Sequence, residues 1–319
     1  MVRIGTWNLE NLFRPGDPNG PQDTATYKAK LQALAATITT IEPDVLAVQE
    51  IGNRDALTDL VIELGDGWNV ETASVDRGSS HPIRVGFLSR LPLTEVTEYR
   101  DFPTGLDPIQ IEDTGPQVST MGRPALGARI DLAGTPVDIL TCHLKSKLLS
   151  FPPGPRFDTQ DEGERARYGV YALARRAAEA ATVRAAATSL LDGHGQDRRL
   201  IVLGDLNDGP DAATTQILYG PPGSEIGTAG FDQADRGDGQ RLWNLAPRIP
   251  EDQRFSRIYH GRGELIDHIL VSLALVGTVA DGAVHTDGAG PTPSITDQPA
   301  ERRNAAGSDH RPVIAQFGL

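Results

Sequence analysis

The sequence predicts an α/β sandwich in which two mixed β-sheets pack together with helices outside them, and three observations predict it. Short apolar runs, each ended by a polar cluster, recur from one end of the 319-residue chain to the other. Longer segments with apolar residues at helical spacing lie between some of these runs. The stretches rich in Gly, Pro and Asp have chemistry-bearing residues on both sides of them, so they read as loops within one domain spanning 1–319.

The elements follow in order. Val2–Trp7, Val45–Val48, Arg84–Leu88, Ala125–Ile130, Val137–Thr141, Leu200–Leu203, Ile266–Val271 and Val313–Phe317 are short, apolar and rich in branched residues, the pattern of buried strands. Thr24–Ile41 carries Leu31, Leu34, Ala35 and Ile38 on one helical face, and Pro43 stops it. Glu162–Leu191 is an Ala- and Arg-rich helix closing near Gly193. A shorter helix is expected from about Asp55 to Leu64. Residues 15–23, 152–161, 221–239 and 288–307 are expected loops, and 150–169 is a further loop or substrate rim with Arg156, Arg165 and Arg167.

Composition narrows the class. With 39% hydrophobic and 23% charged residues, an ordinary core is expected rather than disorder. No apolar run approaches the roughly 18 residues of a bilayer span, so no stable membrane association is expected. The N-terminus lacks an export pattern and Cys142 stands alone, which suits a cytoplasmic protein; a secreted chain after signal removal reads the same way. The net charge of −13 fits poorly with an extended polyanion footprint. It leaves a locally basic cleft or a small substrate, and the sequence indicates no protein partner.

Six apolar strands adjoin acids, amides or histidines. These are Asn8 and Glu10 after the first, Gln49-Glu50 after the second, and His143-Leu144-Lys145-Ser146-Lys147 after the fifth. Gly204-Asp205-Leu206-Asn207 follows Leu200–Leu203, Asp267-His268 opens its strand, and Ser308-Asp309-His310-Arg311-Pro312 precedes the last. An acid after one strand is usually a turn residue. Six clusters on strands that share sheet edges point to a common cleft. Carboxylates and an amide oxygen without clustered Cys are hard-cation ligands, which makes Glu50, Asn8 and Asp309 candidates for Mg²⁺ or Mn²⁺, with Ca²⁺ as a candidate structural ion. Asp205 and Asn207 can face the cleft together or form an Asx turn. His310 has the chemistry of a phosphate donor or proton carrier, whereas His268 should face away as a packing residue.

Taken in order from residue 5 to residue 313, these segments resemble the motif set of the endonuclease/exonuclease/phosphatase superfamily. The resemblance implies a DNase-like four-layer sandwich and a metal-dependent phosphodiesterase, foremost a nuclease acting on DNA. It implies that Asp205 activates water, Asn207 and His310 hold the phosphate, Asp267 supports His310, and His143 serves as general acid. His143-Leu144-Lys145-Ser146-Lys147 and Gly122-Arg123-Pro124 are similar to elements of bacterial extracellular-type nucleases, making Arg84, Arg123 and Lys145 candidate substrate contacts. Arg176-Ala177-Ala178-Glu179-Ala180 is similar to an Arg-x-x-Gln-Ala helix of the family, with Glu in place of Gln, which weakens the expectation of a polar contact there.

Rival readings are an inositol-phosphate phosphatase, a sphingomyelinase-like phosphodiesterase, an abasic-site endonuclease and an inactive binding module on the same fold. The abasic-site reading is disfavoured by Gly52, where that branch carries Lys, and the inactive module by the retention of every active-site residue type.

Overall fold

The computed structural model describes residues 1–75, 82–152 and 156–319; residues 153–155 of the expected loop at 152–161 lie outside them. The strands are β1 (Val2–Leu12), β2 (Val45–Ile51), β3 (Asn69–Thr72), β4 (Arg84–Ser89), β5 (Thr94–Asp101), β6 (Thr120–Leu132), β7 (Thr135–His143) and β8 (Leu200–Asp205). There follow β9 (Trp243–Asn244), β10 (Arg257–Tyr259), β11 (Arg262–Glu264), β12 (Asp267–Val271), β13 (Val279–Thr286), β14 (Ser294–Ile295) and β15 (Val313–Phe317). The helices are α1 (Thr24–Ile41), α2 (Arg54–Leu64), α3 (Glu162–Leu191), α4 (Ala213–Tyr219) and α5 (Leu273–Val276).

Two six-stranded sheets, ordered β13-β15-β1-β2-β4-β3 and β5-β6-β7-β8-β12-β9, form the sandwich. Both mix parallel and antiparallel pairs. Alternation along β8 shows how sequence makes layers. Ile201 and Leu203 join the core between the sheets, whereas Leu200 and Val202 pack with Ala180 and Val183 of α3. On the other sheet, Leu46 and Val48 pack with Leu34 and Ile38 of α1. The four-layer arrangement expected from the sequence is therefore the one observed. A small third sheet, β11-β10-β14, lies within the stretch between β9 and β15.

Local chemistry sets the helix ends. Asp23, Asn53 and Asp161 each accept a first-turn backbone N–H from Thr26, Ala56 and Gly163/Glu164 respectively. α1 and α3 coincide with the expected spans, and α2 begins one residue early. The part of the expected 150–169 loop from Glu162 onward is the first turns of α3. At Gly204, φ is +150° and an added Cβ would lie 2.0 Å from the carbonyl oxygen of Cys142, so glycine is required just before Asp205.

Candidate active site

The central strands of both sheets meet along one edge. Parallel β1 and β2, and parallel β7 and β8, end there, while antiparallel β12 and β15 begin there. His143 and Asp205 are register partners across β7–β8, and Asp205 faces Asp267 across β8–β12. An isolated bridge between Arg257 and His310 ties the small sheet to the same place. Residues far apart in sequence thereby become neighbours.

His310 and Asp267 form a close, buried pair. The His310 Nδ1 to Asp267 Oδ2 distance is 2.6 Å, and the residues are 7% and 0% exposed. Burial pulls the imidazole pKa down, but the charges of Asp267 and Asp309 outweigh it and hold the ring protonated up to about 10. Asp205 is equally buried. Burial, and then repulsion from Asp267, push its carboxyl up to about 7. Its Oδ1 accepts the Asn207 N–H at 2.8 Å, closing an Asx turn. Its Oδ2 accepts from Asn8 Nδ2 at 3.0 Å and lies 3.4 Å from His143 Nε2. The Asx-turn and inward-facing readings of Asp205 thus hold together. Asn207 donates from Nδ2 to the carbonyl of Leu144 at 3.0 Å.

Glu50 enters from the first sheet. Its φ of +61° accompanies a register shift between Val48 and Ile51, so a kink re-aims the strand end at the carboxylate. Glu10, Asn11 and Asn207 also have φ between +51° and +56°. Such backbone costs about 1–3 kcal/mol per residue and gathers at functional sites. Glu50 Oε1 accepts from Asn8 at 3.1 Å and lies 3.9 Å from His143 Nε2, and Oε2 accepts the Asn11 N–H at 2.9 Å. The amide oxygen of Asn8 accepts the Glu10 N–H at 2.9 Å. Asn8 therefore turns its NH₂ to the two carboxylates and positions them. Asp309 Oδ1 stands 4.0 Å from His310 Nε2.

The donor set fits a hard divalent cation. Asp267 and Asp309 flank the His310 imidazolium, Asp205 and Glu50 lie near the His143 ring, and the buried Oδ1 of Asp267 has no hydrogen-bond partner. One ligand atom each from Asp205, Asp267 and His310 falls within 4.8 Å of the others. His310 Nδ1 and Asp267 Oδ2 already bind each other, which engages two of those three groups within the protein.

The expected substrate cations are largely committed to the protein itself. Arg123 donates to the carbonyls of His143 and Leu144 at 3.0 and 2.8 Å, and Arg84 donates to that of Gly52 at 3.0 Å. Lys145 Nζ binds Ser146 and Leu148 oxygens at 2.9–3.2 Å. Burial, with Arg123 and Arg175 nearby, lowers its pKa to about 8. His268 faces the other layer, bound to Asn244 and to the Asp208 carbonyl.

Sequence reasoning undervalued Arg176 and Glu179. Both are buried: Arg176 pairs with Asp208 at 3.2 Å and donates to the Lys145 carbonyl, and Glu179 accepts from Gly122 N, Lys145 N and Arg175. The Glu in place of Gln holds the segment after His143. Glu10, bound in bidentate fashion by Arg302 and raised to about 7 by burial and then Asp309, was also missed as a partner of the site. Its place in the Trp7–Asn11 cluster was the available signal.

Two sheets with acids, amides and imidazoles converging on one edge define a DNase-like phosphoester hydrolase. The family model described as Endonuclease/Exonuclease/phosphatase family matches residues 5–310, and the chain belongs to that family. No curated protein sequence matches it. Among solved structures it is similar to a mannosyl-6-phosphatase from Bacteroides thetaiotaomicron, with 13% identity and a TM-score of 0.59 over 100% of both chains. It is also similar to truncated TDP2 from Caenorhabditis elegans, at 15% identity and TM-score 0.57 over 99% of this chain and 97% of that one. A 3'-5' exonuclease from Neisseria meningitidis matches at 18% identity and TM-score 0.54 over 100% of both. At these identities the likeness shows the fold. Among the described residues, no helix is long and apolar enough to cross a membrane.

Proposed function

We propose that the chain is a divalent-metal-dependent phosphodiesterase that hydrolyses nucleic acid, foremost DNA. The observation that carries this reading is the buried His310–Asp267 pair set beside Asp205, a fixed cation next to a carboxylate poised to take a proton near neutrality. Mg²⁺ or Mn²⁺ on Glu50 and Asp309 would neutralise phosphate oxygens. Asp205 accepts the proton of a water attacking phosphorus in line, held by its Asx turn and by Asn8. His310, oriented by Asp267, and the second amide proton of Asn207 stabilise charge gathering on the phosphate oxygens. His143 lies near two carboxylates and supplies a proton to the leaving oxygen.

A second reading, a phosphatase or phosphodiesterase of a small ester, is favoured by the net charge of −13 and by the commitment of Arg84 and Arg123 to backbone carbonyls. A plasmid-cleavage assay with Mg²⁺ or Mn²⁺ separates the two. The nuclease reading predicts cleavage that EDTA abolishes and that His310→Ala slows by about 10²–10⁴-fold. Intact plasmid alongside phosphate release from sugar or inositol phosphates would establish the small-ester reading instead.

A further inference from the structure

A cavity of about 330 Å³ lies between the segment after β7 and the N-terminal half of α3. Its walls divide by chemistry. Tyr168, Tyr171 and Leu149 make an aromatic and apolar side, while Lys145 and Arg175 bring positive charge, with Glu112 also on the lining. The rings of Tyr168 and Tyr171 meet edge to face with centroids 5.5 Å apart, and Phe151 backs Tyr168 at 5.2 Å. Tyr168 is 6% exposed, and its buried hydroxyl has no hydrogen-bond partner. The Lys145 ammonium is bonded to neutral oxygens of Ser146 and Leu148 rather than to a carboxylate, so an anion entering the cavity would compete with neutral acceptors and not with an acid.

Lys145, on the cavity wall, ties it to the end of β7 where His143 stands. Lys145 stands two residues beyond His143, a reach of at most about 7 Å along the chain. Glu179 grips the Lys145 N–H and the Arg175 guanidinium together, fixing both cations relative to the end of β7. Aromatic rings beside cations are the recognition chemistry of single-stranded nucleic acid, where bases stack on rings and phosphates meet positive charge. A concavity of this size takes one base with its sugar, and a base pair in a duplex cannot enter it.

We propose that this cavity binds the base of one unpaired nucleotide next to the scissile phosphate, with Lys145 and Arg175 on the phosphate that flanks it. The inference rests on the nuclease reading and narrows it to single-stranded or frayed substrates.

The test uses the metal-loaded protein and three oligonucleotides of equal length: a single strand, its duplex, and a single strand with base-less sugars around the cleavage point. Wild type is expected to show a lower KM for the base-bearing strand than for the other two. Tyr171→Ala, at a partly exposed position that can lose its ring without opening the core, is expected to raise KM for the base-bearing strand about tenfold. The same variant should leave KM for the base-less strand unchanged. A change below about twofold on the base-bearing strand, against the stacking effect expected, would overturn the proposal. An equal rise on the base-less strand would also overturn it, by showing that a sugar phosphate occupies the cavity. Failure of the nuclease reading is distinct, because wild type would then cleave none of the three.

Discussion

The two edges of the sandwich are built from the same strands and treat charge in opposite ways. At the edge where β1 and β2 begin, Arg3 pairs with Glu42 at 3.1 Å, with side chains 41% and 74% exposed. Nearby on the second sheet, Arg129 bridges Glu95 and Asp138 at 2.6 and 2.8 Å. Glu42, Glu95 and Asp138 there each face an opposite charge. At the catalytic edge Asp205 and Asp267 are direct cross-strand partners, 1% and 0% exposed, with His310 as the cation beside them. Like charges placed opposite each other destabilise a sheet, and burial deepens the cost. The difference teaches that the first edge pairs its charges near water, whereas the second keeps buried like charges face to face, an unfavourable arrangement of the kind that gathers at functional sites.

The contrast can be sharpened on its functional side through Lys145. Burial, and then Arg123, Arg175 and Arg176, disfavour its charge, and Glu179 favours it. With a folded pKa of about 8, the ammonium is present below that value and lost above it. KM for nucleic acid should therefore rise between about pH 7 and pH 9, and Lys145→Arg, which stays charged throughout, should remove most of that rise. An unchanged profile in Lys145→Arg would take this residue out of substrate binding. A smaller effect is expected at the other edge. Arg129→Ala should lower stability by less than about 1 kcal/mol in thermal melts and leave kcat as it was. A larger loss would mean that the exposed edge is not the conventional one described above.

Much of this was legible in the sequence, for a physical reason. Strands buried on both faces, such as Leu200–Asp205, show continuous apolar runs, and their polar ends stand out against them. Strands β3 and β5 were not legible because they lie at sheet edges and are largely exposed, so Thr94–Asp101 carries no apolar run. β13 is interrupted by a register shift between Val279 and Val284. Within the site, residue types near strand ends pointed to Glu50, His143, Asp205, Asp267 and His310, which the fold brings to one edge. Which cations reach outward was hidden. Arg123 and Arg84 are matched to backbone carbonyls, and Glu179 is matched to two backbone N–H groups, only once distant segments meet. The Tyr168–Tyr171 cavity likewise needs α3 packed near the segment after His143.

The most direct test of the contrast between the edges is Asp205→Asn, measured for kcat and for melting temperature in the same preparation. The amide oxygen can keep the Asn207 N–H bond, whereas the NH₂ replaces the oxygen that accepts from Asn8 Nδ2, so one hydrogen bond worth roughly 1 kcal/mol is lost. The expected result is a fall in kcat of about 10²–10⁴-fold, with a melting temperature raised by about 2 °C or more as one of two facing buried charges is removed. A melting temperature that falls, with kcat little changed, would show that Asp205 holds the fold together and that the catalytic edge has been misread.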